Sequence, residues 1–166
     1  MMMGMGMRRP STNLTVSRSF QNVQTTNKTT IIDQMIEEVV ADLTKKVMDV
    51  SSVAVWQINS QTTGINVEMI QRKFTTQLVN KTRFKVVTRE KLNKLLAEQN
   101  LSLSGTLDEK SSVEIGKLIG VDAFFDGYII IERSNLLMNL HLIETETGVI
   151  IWAKTIEKKL DDQNYN

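Results

Sequence analysis

Cysteine is missing from all 166 residues. That excludes disulfide scaffolds, thiolate metal sites, iron–sulfur clusters, Cys nucleophiles and any lipid attached through a Cys thiol. Histidine occurs once, at His141, so two-His metal motifs are absent and a Ser-His-Asp triad has a single choice of base. No stretch approaches the roughly 18 consecutive apolar residues that a membrane-spanning helix needs. Charge of one sign is lacking too: twenty Lys and Arg face nineteen Asp and Glu, a formal net charge of +1. That balance marks neither a nucleic-acid binder nor a polybasic membrane peptide. Glycine-rich phosphate loops are also missing. Gly4-Met5-Gly6 stands apart just before Arg8, and Gly120 to Gly127 has neither G-x-G-x-x-G nor Walker spacing.

What is present suits one core: 41% of the residues are hydrophobic and 23% charged, and the length fits a single domain with a tail. The Met-rich start, with five Met in the first seven positions, places its charges after its apolar residues and has no h-region, so as written it is not a secretory signal. Residues 11–30 hold 14 Ser, Thr, Asn or Gln and too few apolar residues to offset the entropy of ordering. Residues 1–30 therefore read as a flexible polar leader, 31–160 as one α/β domain and 161–166 as a tail.

From Thr30, with Asp33 at capping-box spacing, Ile32, Met35, Ile36, Val39, Val40, Leu43 and Val47 recur every three or four residues, which predicts a helix over 31–49. Ser52–Ile58 reads as a buried strand. Asn66 caps a second helix carrying Val67, Ile70, Phe74 and Leu78. Phe84–Val87 is the next strand, and Thr88 caps a third helix with Leu92, Leu95 and Leu96. Thr106 and Glu109 form a capping box for a fourth helix, which ends at Gly120. Segments 122–132, 136–144 and 149–157 then have extended periodicity and short links, a three-stranded antiparallel meander. The first of these is apolar on both faces, which predicts helices on both faces of a mixed five-stranded sheet.

Three local signatures carry a family likeness: Phe84–Leu96 (FKVVTREKLNKLL), Glu114–Tyr128 (EIGKLIGVDAFFDGY) and Leu142–Trp152 (LIETETGVIIW). With them the chain resembles the CsgG-like group of bacterial envelope proteins, most closely its LpoB branch of outer-membrane lipoproteins that activate a penicillin-binding protein. The resemblance runs over roughly Met35–Ala153. It implies an anticodon-binding-domain-like α/β fold and a non-enzymatic accessory role at the periplasmic side of the outer membrane. It also implies an envelope protein as partner, a class A penicillin-binding protein in peptidoglycan synthesis, with no cofactor and no nucleic acid. The alternative role within the group is a structural subunit of a curli-like secretion or flagellar outer-membrane assembly. Lipoproteins of the group are anchored through an N-terminal Cys, and this sequence has none. The group's pore-forming hairpin has no counterpart in the three-residue link Arg133–Asn135, so a monomer is expected before a ring.

For chemistry the candidates are sparse. His141, mid-strand among Met138, Leu140 and Leu142, reads as a hydrogen-bonded structural residue. Glu37 and Glu38 read as a solvated helix face, and Asp122 and Asp126 as residues flanking a strand start, with no spacing that makes two carboxyls converge. Charge distribution is the asymmetric feature. Between Arg72 and Ala97 stand eight basic residues and one acidic, a local +7, whereas Glu98–Ala153 carries −6. The basic segment is the candidate partner-binding surface, with Arg72, Lys73, Lys81, Arg83, Lys85 and Arg89 its named residues.

Overall fold

A computed structural model of the protein describes the backbone of residues 12–100 and 109–160 and the side chains of residues 27–100 and 110–160. The first apolar repeat lies on α1 (Thr12–Lys46), which buries Met35, Ile36, Val39, Val40 and Leu43. The helix expected over 31–49 thus starts at Thr12, and residues 12–30, read as a polar leader, are continuous with it. Neither Pro nor Gly occurs between Thr12 and Thr30, so no backbone breaker interrupts the helix there. The Thr30/Asp33 spacing therefore falls inside the helix and not at its start. Asp33 instead pairs with Lys73 on the next helix.

Local signals further along have the predicted outcome. Strand β1 (Ser52–Asn59) is followed by α2 (Val67–Lys81), whose Asn66 side chain accepts from the Met69 amide and whose inner face buries Ile70, Phe74 and Leu78. Strand β2 (Lys85–Val87) leads into α3 (Arg89–Glu98), where the Thr88 hydroxyl accepts from the Lys91 amide. Helix α4 (Glu109–Ile119) ends at Gly120, which has φ +72° and donates its amide to the Gly116 carbonyl, the left-handed stop that glycine permits without a Cβ clash. The Thr106–Glu109 capping box lies outside the described residues. Strands β3 (Ala123–Glu132), β4 (Asn135–Glu144) and β5 (Ile150–Lys159) follow. The β3–β4 link is Arg133–Ser134, one residue shorter than expected, with Arg133 at φ +57°. Gly148 turns β4 into β5 at φ +74°.

The five strands lie in the order β2-β1-β3-β4-β5. β1 runs parallel to β2 and to β3, and the β3–β4–β5 meander is antiparallel. Parallel neighbours require crossovers, and α2 and the α3–α4 pair supply them. The two faces of β3 then separate two apolar layers. Phe125 and Ile129 face α1 and α2 together with Phe74, Leu140, Leu142 and Trp152. Phe124 faces the other way with Trp56, Leu92, Leu96 and Ile115. Edge-to-face ring pairs occur in both layers, Phe74–Phe125 at 5.1 Å and Trp56–Phe124 at 5.6 Å. Further along β3 the second face opens, and Tyr128 is 42% exposed.

Candidate partner-binding surface

The six basic residues are close in sequence, and the fold sends them to different environments. Arg72, outward on α2, pairs with Glu68 one turn earlier at 2.9 Å. Lys73 reaches Asp33 of α1 at 2.6 Å. Both lie among carboxylates, since Asp33 and Glu37 line the depression beside them. Arg89 turns inward, and its Nη1 donates to the carbonyls of Val55 and Trp56 on β1. Burial lowers its pKa, yet a guanidinium stays protonated, so this cation serves the join between α3 and the sheet.

Lys81, Arg83 and Lys85 remain, and they stand together. Lys81 closes α2, Arg83 sits in the turn after it and Lys85 opens β2; all three are exposed. None has an ion-pair partner among the described residues. They rim a groove of about 500 Å³ between the α2–β2 junction and the end of α1, where Val47, Met48, Val50 and Phe84 supply apolar lining and no carboxylate contributes. Phe84 is 9% exposed and forms part of the core, whereas Met48 on the opposite wall is 67% exposed. The Arg83 guanidinium lies 4.0 Å from the Met48 sulfur. Two backbone ties fix the junction: the Lys85 amide donates to the Ser51 carbonyl at 2.8 Å, and the Phe84 amide to the Thr82 hydroxyl at 3.1 Å.

The residues weighed for chemistry have structural surroundings. Asp122 accepts at one carboxylate oxygen from the Ser51 amide (2.9 Å), the Ser52 amide (2.7 Å) and the Ser52 hydroxyl (3.0 Å), locking the start of β1 to β3. Partial burial pushes this carboxyl up, but those bonds outweigh it, and its pKa is lowered. Asp126 is buried opposite His141 in the β3–β4 ladder. Desolvation raises its pKa against the opposing pull of the Gly127 amide and of His141. The His141 imidazole has no hydrogen-bond partner among the described residues, so the structural bond expected for it is not found there; its strand position lies across from Asp126. Glu38 pairs with Lys158 at 3.1 Å, and Glu37 is exposed. Among the described residues no group of three or more His, Cys, Asp or Glu is placed to hold a metal ion, and no helix is long and apolar enough to cross a membrane.

Two features have no signal in the local sequence pattern. The Trp152 indole donates to Asp42 at 3.0 Å, with Lys46 and Lys154 at 3.1 and 3.6 Å from the same carboxylate, which ties α1 to the edge strand β5. The hydrogen bond from Trp152 is the largest cause of a lowered Asp42 pKa. Asp42 interrupts the apolar face between Val40 and Leu43, the one hint that it meets a partner inside the fold. Met48, beyond the last turn of α1, becomes a groove wall only because the α2–β2 junction folds against it.

The family model described as peptidoglycan-synthase activator LpoB matches residues 22–157. Among solved structures, the LpoB C-terminal domain from Escherichia coli has 17% identity and a TM-score of 0.65, covering 77% of this chain and 98% of that one. The corresponding domain from Salmonella enterica has 18% identity and a TM-score of 0.62, covering 77% and 95%. The solution structure of E. coli LpoB has 17% identity and a TM-score of 0.60, covering 74% of this chain and 64% of that one. At such identities the likeness is one of fold. No curated protein matches the chain in sequence. The family matched is LpoB itself, and the broader CsgG-like grouping suggested by the motifs is not what the model describes.

Proposed function

The chain belongs to the LpoB family of peptidoglycan-synthase activators, and from that membership we propose that it binds a class A penicillin-binding protein and raises its rate of glycan polymerisation. The observation that carries the reading is the family match across residues 22–157. The fold agrees with it, since a five-stranded sheet with apolar layers on both faces is a scaffold suited to displaying a surface. The protein acts by binding alone, with no cofactor. Its place of action is the periplasm, on the outer-membrane side of the cell wall, as for the lipoproteins it resembles. Of the basic set, the partner-facing residues are Lys81, Arg83 and Lys85, which are exposed and have no ion-pair partner among the described residues.

The test is direct. Purified chain is titrated against the cognate class A synthase while glycan chains are followed from a labelled lipid-linked precursor. A saturable increase in polymerisation rate, together with binding by surface plasmon resonance, is the expected outcome. Absence of binding with an unchanged rate refutes the activator role.

A further inference from the structure

The groove between α1 and β2 deepens this reading, resting on it for the partner being a protein. Each rim cation has a bland explanation when taken alone. Lys81 lies in the last turn of α2, where a cation complements the helix dipole. Lys85 sits on a short edge strand, a position where Lys discourages strand pairing. Arg83 belongs to neither class, and no explanation of that kind accounts for a depression between the three that includes Val47, Met48, Val50 and Phe84 in its lining. Its volume, about 500 Å³, is within the range of roughly 300–1,000 Å³ typical of ligand clefts. A wall formed by an exposed Met is adaptable, because an unbranched thioether repacks around different side chains.

We infer that this groove docks an acidic segment of the partner protein. One apolar side chain enters between Met48 and Phe84, and flanking carboxylates meet Lys81, Arg83 and Lys85. The charge argument selects the occupant. Three cations with no carboxylate partner among the described residues favour an anion, and the apolar side chains in the groove lining favour one that carries a hydrophobic anchor. Single-stranded nucleic acid fits poorly, since base stacking needs exposed aromatic faces and Phe84 is the only aromatic residue lining the groove. An anionic membrane surface would use the charges and leave the depression empty.

The experiment follows amide resonances of the isotope-labelled full chain during titration with a synthetic acidic peptide bearing a central Leu. Controls are its Leu→Ser version, a version with Lys in place of the acids, and vesicles rich in phosphatidylglycerol. The expected result is shifts at Met48, Phe84 and Lys85 with the acidic Leu peptide, weaker binding by the Ser version and none by the Lys version. Higher salt should weaken the binding further. Lys81→Glu, Arg83→Glu and Lys85→Glu introduced together should weaken peptide binding by about tenfold or more, with the native amide spectrum kept and only a small fall in the urea midpoint, from the reversed charge at the end of α2. No shifts at the groove, or vesicle binding that equals peptide binding and is lost in the same variant, overturns the inference. Synthase stimulation separates the two readings. A triple variant that stimulates like wild type overturns the groove and leaves the activator role standing. A wild type that fails to stimulate overturns that role, and the peptide titration still decides the groove.

Discussion

Replacing Trp152 by Phe isolates one polar link inside an otherwise apolar layer. Trp152 is 6% exposed and its ring lies 6.5 Å from that of Phe125 at 82°, a contact that a phenyl ring keeps. What is lost is the indole N–H bond to Asp42 at 3.0 Å and the volume of the second ring. A hydrogen bond to a charged group contributes about 1.5–3 kcal/mol net. Removing about 40 Å³ at ~24 cal/mol per Å³ of residual cavity adds about 1 kcal/mol, so the sum is roughly 2.5–4 kcal/mol. Lys46 and Lys154 still hold the carboxylate, which keeps the loss from exceeding that range.

Urea unfolding by far-UV circular dichroism gives the difference, with Trp56 left as the fluorescent reporter. The pH dependence separates the two contributions. Asp42 has a lowered pKa in the folded state, so its contribution is fully present above the unfolded carboxylate value of about 3.9 and is lost as pH falls through the folded value. The gap between wild type and Trp152→Phe should therefore shrink towards the volume contribution in acid. A gap that is the same at pH 7 and below the carboxylate range refutes the reasoning. So does a double-mutant cycle with Asp42→Ala that yields less than about 0.5 kcal/mol of coupling.

Gly127 faces a position where a Cβ would lie 2.2 Å from the Asn139 carbonyl oxygen and 2.7 Å from a Leu140 methyl. Gly127→Ala should therefore force β3 and β4 apart and cost about 3 kcal/mol or more, read as a lowered urea midpoint; a loss under about 1 kcal/mol contradicts that close approach. Asp122→Asn should cost about 1 kcal/mol by weakening the bonds from Ser51 and Ser52. Because the folded Asp122 pKa is lowered, stability carried by this group fades as pH falls through the folded value, and the Asn variant should have the flatter stability profile between pH 7 and pH 3. Parallel profiles for the two proteins would count against it.

Much of the architecture is legible in the chain because it depends on neighbours in sequence. The Asn66 and Thr88 caps, the Ile70–Phe74–Leu78 stripe, the Gly120 stop and the Gly148 turn rest on dihedral preferences and periodicity within a few residues. The two apolar faces of β3 likewise imply helices above and below it. The start of α1 is not legible. A polar stretch carries no periodic apolar signal, and residues 12–30 give no cue that the helix extends through them. His141 and Asp126 appear in sequence as separate residues, and strand register alone sets them face to face.

The candidate surface divides in the same way. Sequence by itself determines that positive charge is concentrated between Arg72 and Ala97, since charge is a property of each residue and sums along the chain. Whether a given cation is neutralised depends on groups far away in sequence. Lys73 meets Asp33, Arg89 meets the carbonyls of β1, and Arg83 meets Met48, 35 residues before it. Only the tertiary packing separates the committed cations from Lys81, Arg83 and Lys85 and puts a groove with Met48 and Phe84 in its lining between those that are left. Electrostatic and packing interactions act through space at a few ångströms, and the tertiary structure alone sets those distances.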